Sequence, residues 1–194
     1  MMRRSVFAFV LLLAAVSAFA QEPPKNAAAS YFANLSLVDQ DGHRVDLYND
    51  LMKGKTVVIN SFFASCTGSC PVMGRAFLHA QQELGPRLGS EVNLISITVD
   101  PVNDTPAALH EYAKKMNAKR GWYFLTGSPA EIEAALKKIG QYVSTREEHM
   151  NLMVAGNDRT GLWKKIFALA KPKDVYDVIV SVANDRGETP AGTH

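Results

Sequence analysis

Among 194 residues there are two cysteines, and they stand four apart in Ser65-Cys66-Thr67-Gly68-Ser69-Cys70-Pro71. Two thiols held close together suit two kinds of chemistry. They can form and break a disulfide, or they can grip a soft metal ion. A structural staple is the weaker reading, because a cross-link stabilises a chain more the longer the loop it closes, and this loop is very small. Peroxide reduction would require a cation to activate one thiolate, and Arg75 is the nearest in sequence.

A metal needs at least one further ligand, so the histidines matter next. His43 falls in a turn, His110 on a polar helical face, and His79 more than two turns beyond Cys70. His194 is in the C-terminal tail. His43 and His110 read as surface residues, and neither His79 nor His194 reads as a ligand. His149 is different, because the polar segment Arg146-Glu147-Glu148-His149 leads directly into an apolar strand pattern. It is a candidate ligand or a solvated loop residue. Two sulfurs and one imidazole favour copper, especially Cu(I), which accepts three ligands; structural zinc takes four, and no fourth is evident. Met73 and Met153 are candidate soft extras and, more simply, core filler.

The surrounding elements must place these groups. Residues 34–38 and 44–47 alternate in character around Asp41-Gly42, a hairpin signal. Residues 56–63 are β-branched and aromatic, as in a strand buried on both faces, and they run straight into the cysteine motif. A helix follows from Pro71 to about Leu84, with Met73, Phe77, Ala80 and Leu84 on one face. Strands are expected at 92–99, 122–125, 150–155 and 162–167. Helices are expected at 106–116, from the Ser128-Pro129-Ala130-Glu131 capping box to about 140, and after Pro172 to about 182. Asp104 or Thr105 is read as a helix cap.

This order gives an α/β fold: a thioredoxin-like mixed sheet flanked by helices, with an added N-terminal β-hairpin. The cysteines then lie where a central strand ends and a helix begins, the usual place for sites in open α/β sheets. A helix N-terminus favours thiolate over thiol, and if the helix includes both cysteines, their spacing puts both sulfurs on one face. In such a fold the loop of His149 passes beside the cysteine loop. Redox thioredoxins space the pair as C-x-x-C and carry a proline before the strand facing it. Here that place reads Glu148-His149-Met150-Asn151, which fits metal binding better than disulfide exchange.

The chain resembles the Sco/SenC family, copper chaperones of cytochrome c oxidase assembly. The resemblance lies in Cys66-Thr67-Gly68-Ser69-Cys70-Pro71, Thr98-Val99-Asp100-Pro101-Val102-Asn103-Asp104-Thr105-Pro106, Leu125-Thr126-Gly127-Ser128 and His149, and extends over roughly 34–182. It implies one copper held by Cys66, Cys70 and His149. It further implies delivery to the dinuclear copper site of oxidase subunit II or to another copper protein, with a thiol reductant such as a thioredoxin-like protein as a second partner. Asp100 either shapes the site from behind or simply ends a strand. Thiol-disulfide exchange that keeps partner cysteines reduced is the alternative activity for Cys66 and Cys70.

The ends of the chain read as address and tether. Arg3-Arg4, the apolar run 6–16 and Ala18-Phe19-Ala20 make residues 1–20 a signal peptide, so the domain is expected in the periplasm. If uncleaved, the same segment would be a membrane anchor. Residues 21–30 read as a linker, 31–183 as the domain, and 184–194 as a disordered tail. Loss of 1–20 removes two arginines and no acid, leaving 19 basic and 19 acidic residues. A chain without net positive charge is not expected to bind nucleic acid. The basic cluster Lys114, Lys115, Lys119 and Arg120 suits a helix C-terminus.

Overall fold

In a computed structural model, residues 27–187 are described. The signal-peptide reading of 1–20 and most of the tail therefore lie outside the described residues. The central strand β3, Thr56–Phe62, is buried along its whole length. Its β-branched residues face both ways. Val58 and Phe62 join one core, and Val57 and Ile59 join the other. This is the period-two alternation of a strand covered on both faces.

Strand β3 pairs in parallel with β4, Val92–Thr98, and antiparallel with β6, Leu152–Asn157. With β5, Trp122–Leu125, and β7, Leu162–Phe167, the sheet order is β5-β4-β3-β6-β7. Helices α2, Cys70–Leu84, and α5, Pro172–Ala183, cover one face with Leu109 of α3, Pro106–Lys115. The other face is covered by α1, Ala27–Tyr31, by a π-helical turn, Leu47–Met52, and by α4, Pro129–Lys138. The hairpin strands β1, Ser36–Val38, and β2, Arg44–Asp46, form a separate small sheet beside α4. The fold is the expected thioredoxin-like α/β arrangement with its N-terminal hairpin.

Four expectations change. The linker read over 21–30 ends in α1, where Ala28 is buried; the alanine run favours helix, and Phe32 and Leu35 anchor it in the core. Leu47 opens the π-helical turn rather than closing β2. The strand expected from 150 starts at Leu152, with Asn151 accepting a single bond from the Ala168 N–H. Thr105, not Asp104, caps α3, and Asp104 is buried for another purpose.

Candidate metal centre

The carboxyl end of β3 delivers the cysteine loop. Phe63 O accepts the Cys66 N–H at 3.1 Å, closing a turn directly after the strand. Helix α2 starts at Cys70, so Cys66 lies in the loop before it, and the condition under which the two cysteines would share a helix face is not met. Proline at the second helical position and glycine in the loop explain this: Pro71 suits a first turn, and Gly68 leaves the preceding segment free to bend away. Ser69 is the N-cap, but its side chain makes no capping bond. Its hydroxyl instead lies 3.1 Å from Nε2 of His149.

His149 arrives from the opposite direction, on the loop that feeds β6. Because β6 runs antiparallel beside β3, the start of one strand lies next to the end of the other. Nε2 of His149 is 3.1 Å from Sγ of Cys70. The ligand atoms of Cys66, Cys70 and His149 all lie within 4.8 Å of one another. Nδ1 of His149 is 3.1 Å from the Arg146 carbonyl, which can only accept. The neutral ring must therefore carry its proton on Nδ1, leaving the Nε2 lone pair aimed at the cysteines. Such a carbonyl partner is how metal-binding histidines are commonly held.

The two thiols are not equivalent. Cys66 is half-buried, while Cys70 is 2 % exposed. Burial, then its hydrogen bond with Cys66, pushes the Cys70 thiol up to about 12. Backbone hydrogen bonds from Phe63, just after β3, and from Cys70 itself act the other way but are outweighed. The expected thiolate-favouring helix terminus is thus overcome by desolvation at Cys70. The same surroundings reach Tyr112, whose hydroxyl is raised to about 12 by burial, then by Cys70 and Cys66.

The other sequence candidates separate cleanly. Met73 and Met153 are fully buried core residues. His43 and His110 are exposed, and His79 packs edge-on to Tyr176. Asp39, Asp41 and His43 also cluster, but Oδ1 of Asp39 accepts the Asp41 and His43 N–H groups and so closes the hairpin turn. Asp100 is bonded to Nη1 of Arg146. Burial alone would raise its carboxyl, yet hydrogen bonds from Asn103 and Arg146 hold it below the usual range. Sequence reasoning does not single out Arg146, Ser69 or Phe63, and it reads Asp104 only as a helix cap. Phe63 meets the His149 ring edge-on at 5.3 Å and lies under the Arg146 guanidinium. Only the three-residue spacing of Arg146 from His149, one helical turn, hinted at its part.

Fold and site together define a thioredoxin-like domain with a two-thiol, one-imidazole centre at the end of its central strand. The chain belongs to the SCO1/SenC family, whose model matches residues 23–178. It is 31 % identical over 135 residues to an Arabidopsis thaliana mitochondrial SCO1 homologue. That match covers 69 % of this chain and 39 % of the plant protein, so the chain spans well under half of that relative. Among solved structures it is similar to Arabidopsis thaliana ScoI with copper bound (TM-score 0.64, 28 % identity, 75 % of this chain and 93 % of that one). It is also similar to BsSco, described as a Sco-family cytochrome c oxidase assembly protein with a disulfide switch (TM-score 0.62, 26 % identity, 76 % and 90 % covered).

Proposed function

We propose that this protein is an exported copper-binding metallochaperone that helps assemble the dinuclear copper site of cytochrome c oxidase subunit II. The observation that carries the reading is the pairing of His149 Nε2 with Cys70 Sγ at 3.1 Å, beside Cys66 and with Nδ1 engaged elsewhere. Two thiolates and an imidazole form a soft set of three, which suits Cu(I) and falls one short of a structural zinc site. Copper bound there is cargo: Cys66 and His149, both half-buried, leave it reachable from one side, and Cys70 anchors it from beneath. The copper-bound ScoI relative and the oxidase-assembly description of BsSco support this reading. The leader over 1–20 supports a periplasmic location, soluble or anchored.

Reduced protein should bind about one copper per chain, as a single ligand set requires. His149→Ala should weaken binding about tenfold or more, and Cys66→Ser should weaken it further. Metal analysis and chelator competition measure both. Unchanged affinity in His149→Ala would sink the site.

A second reading is thiol-disulfide exchange that keeps the recipient's cysteines reduced, with a thiol reductant regenerating the pair. It is favoured by the closeness of the two free thiols and by the disulfide switch described for BsSco. Cys66 would attack, being the more exposed, and Cys70 would resolve. This activity should survive His149→Ala. A protein that loads copper but shows no exchange with a model disulfide removes this reading.

A further inference from the structure

The two loops that bring the ligands together are 79 residues apart in sequence, yet a continuous set of polar contacts joins them behind the site. It begins at the cysteine loop, where the Ala64 N–H donates to Oδ2 of Asp104 at 3.0 Å. The same oxygen accepts from Thr98 Oγ1 at 2.6 Å. Thr98 Oγ1 in turn accepts the Asp100 N–H at 2.9 Å. The Asp100 carboxylate holds Nη1 of Arg146, and the Arg146 carbonyl takes His149 Nδ1. Asp104 and Thr98 are buried, at 3 % and 0 % exposure, so neither is there for solubility.

We infer that Asp104, Thr98, Asp100 and Arg146 form a polar strut that sets the distance and orientation of His149 relative to the cysteine loop. This rests on the copper reading above. Asp104 and Arg146 are its ends, and both act through a neighbour: Asp104 through Ala64, two residues before Cys66, and Arg146 through its own carbonyl. The middle of the strut is built on the end of β4, which is paired to β3 up to Phe62↔Thr98. The sheet is therefore the reference frame against which both loops are placed. Asn103 Nδ2 donates to both Asp100 oxygens at 2.9 Å, which stops the carboxylate from turning away from Arg146. Such a frame matters most for a three-ligand site, where the protein must supply the geometry that a fourth ligand would otherwise impose.

The test compares wild type, Arg146→Gln, Arg146→Lys, Asp104→Asn and the Asp100→Asn/Arg146→Gln double variant, each purified reduced and full-length. Three quantities are read: copper affinity by chelator competition, the thiolate-to-Cu(II) absorption band, and the thermal melt of the metal-free protein. Arg146→Gln should lose about tenfold to a hundredfold in affinity and shift the absorption band, while its metal-free protein still melts cooperatively at a modestly lower temperature, since Asp100 keeps its bonds from Asn103. Arg146→Lys, which keeps the cation for Asp100, should recover most of the loss. The double variant should be no weaker than Arg146→Gln, since both changes break the same link. Asp104 is buried, and where Asp104→Asn does not fold, the Arg146 pair decides the matter. An Arg146→Gln protein with wild-type affinity and spectrum overturns the strut, as does a double variant clearly weaker than Arg146→Gln. Wild type that binds no copper overturns the copper reading itself, a result distinct from either.

Discussion

Cys70 has the sharper chemical personality of the two thiols, because burial holds its proton on well past neutral pH. Loading a soft cation must displace that proton. Copper affinity should therefore climb with pH, by up to about tenfold per unit for each proton released, across the whole range below about 12. Titrations in matched buffers at several pH values measure the slope, and a flat profile would mean that Cys70 is not a ligand. The linkage for the metal-free, reduced protein has the opposite sense. The folded pKa lies above the ordinary thiol value of 9.0, so the folded state holds the proton more tightly than the unfolded state. Its contribution to stability is complete below pH 9 and is lost as pH rises toward about 12. Denaturant melts should show this decline in wild type and a shallower one in Cys70→Ala.

Helix α4 shows how far an element can be specified locally. Ser128 accepts the Glu131 N–H, and Glu131 returns the bond to the Ser128 N–H, with proline at the first turn. Glu131 also pairs with Arg44 of the hairpin, and these bonds, Arg44 first, lower its carboxyl to about 2. Ser128→Ala should cost about 1 kcal/mol of stability, read from the midpoint shift at constant slope in urea. The Glu131 contribution is present above its ordinary 4.5 and is lost as pH falls toward about 2. Helix α2 is different. Its start depends on a loop whose capping serine is turned to His149, so the local signals at 65–70 set where the helix begins only within a few residues. The π-helical turn at Leu47–Met52 was invisible for a similar reason. It exists because Leu47, Leu51 and Met52 bury themselves under the sheet, and Asp46 supplies the cap.

At the scale of the whole molecule, the site is a junction between chain segments rather than a property of one. Metal bound at Cys66, Cys70 and His149 would clip the loop after β3 to the loop before β6. Stabilisation by a ligand follows its concentration relative to Kd, about 2.7 kcal/mol at a hundredfold excess. The melting temperature should thus rise on loading wild type and rise less for His149→Ala. Amide exchange should slow together around 65–70 and 146–151 on loading. Protection confined to the cysteine loop would show that His149 does not take part.

The residues and the order of elements by themselves settle much of this protein. The buried strand into Cys66, the proline-led helices, the closing hairpin and the three candidate ligands are local patterns, and local patterns are written in neighbouring side chains. The family resemblance then brought His149 forward from an ordinary loop. What the sequence could not determine depends on contacts between distant segments. The sheet order decides that β6 lies against β3 and so that His149 meets Cys70. Burial, a property of the packed whole, decides that Cys70 holds its proton although it starts a helix. The buried polar links from Asp104 to Arg146 exist only where two loops and a strand end converge, so no stretch of residues announces them.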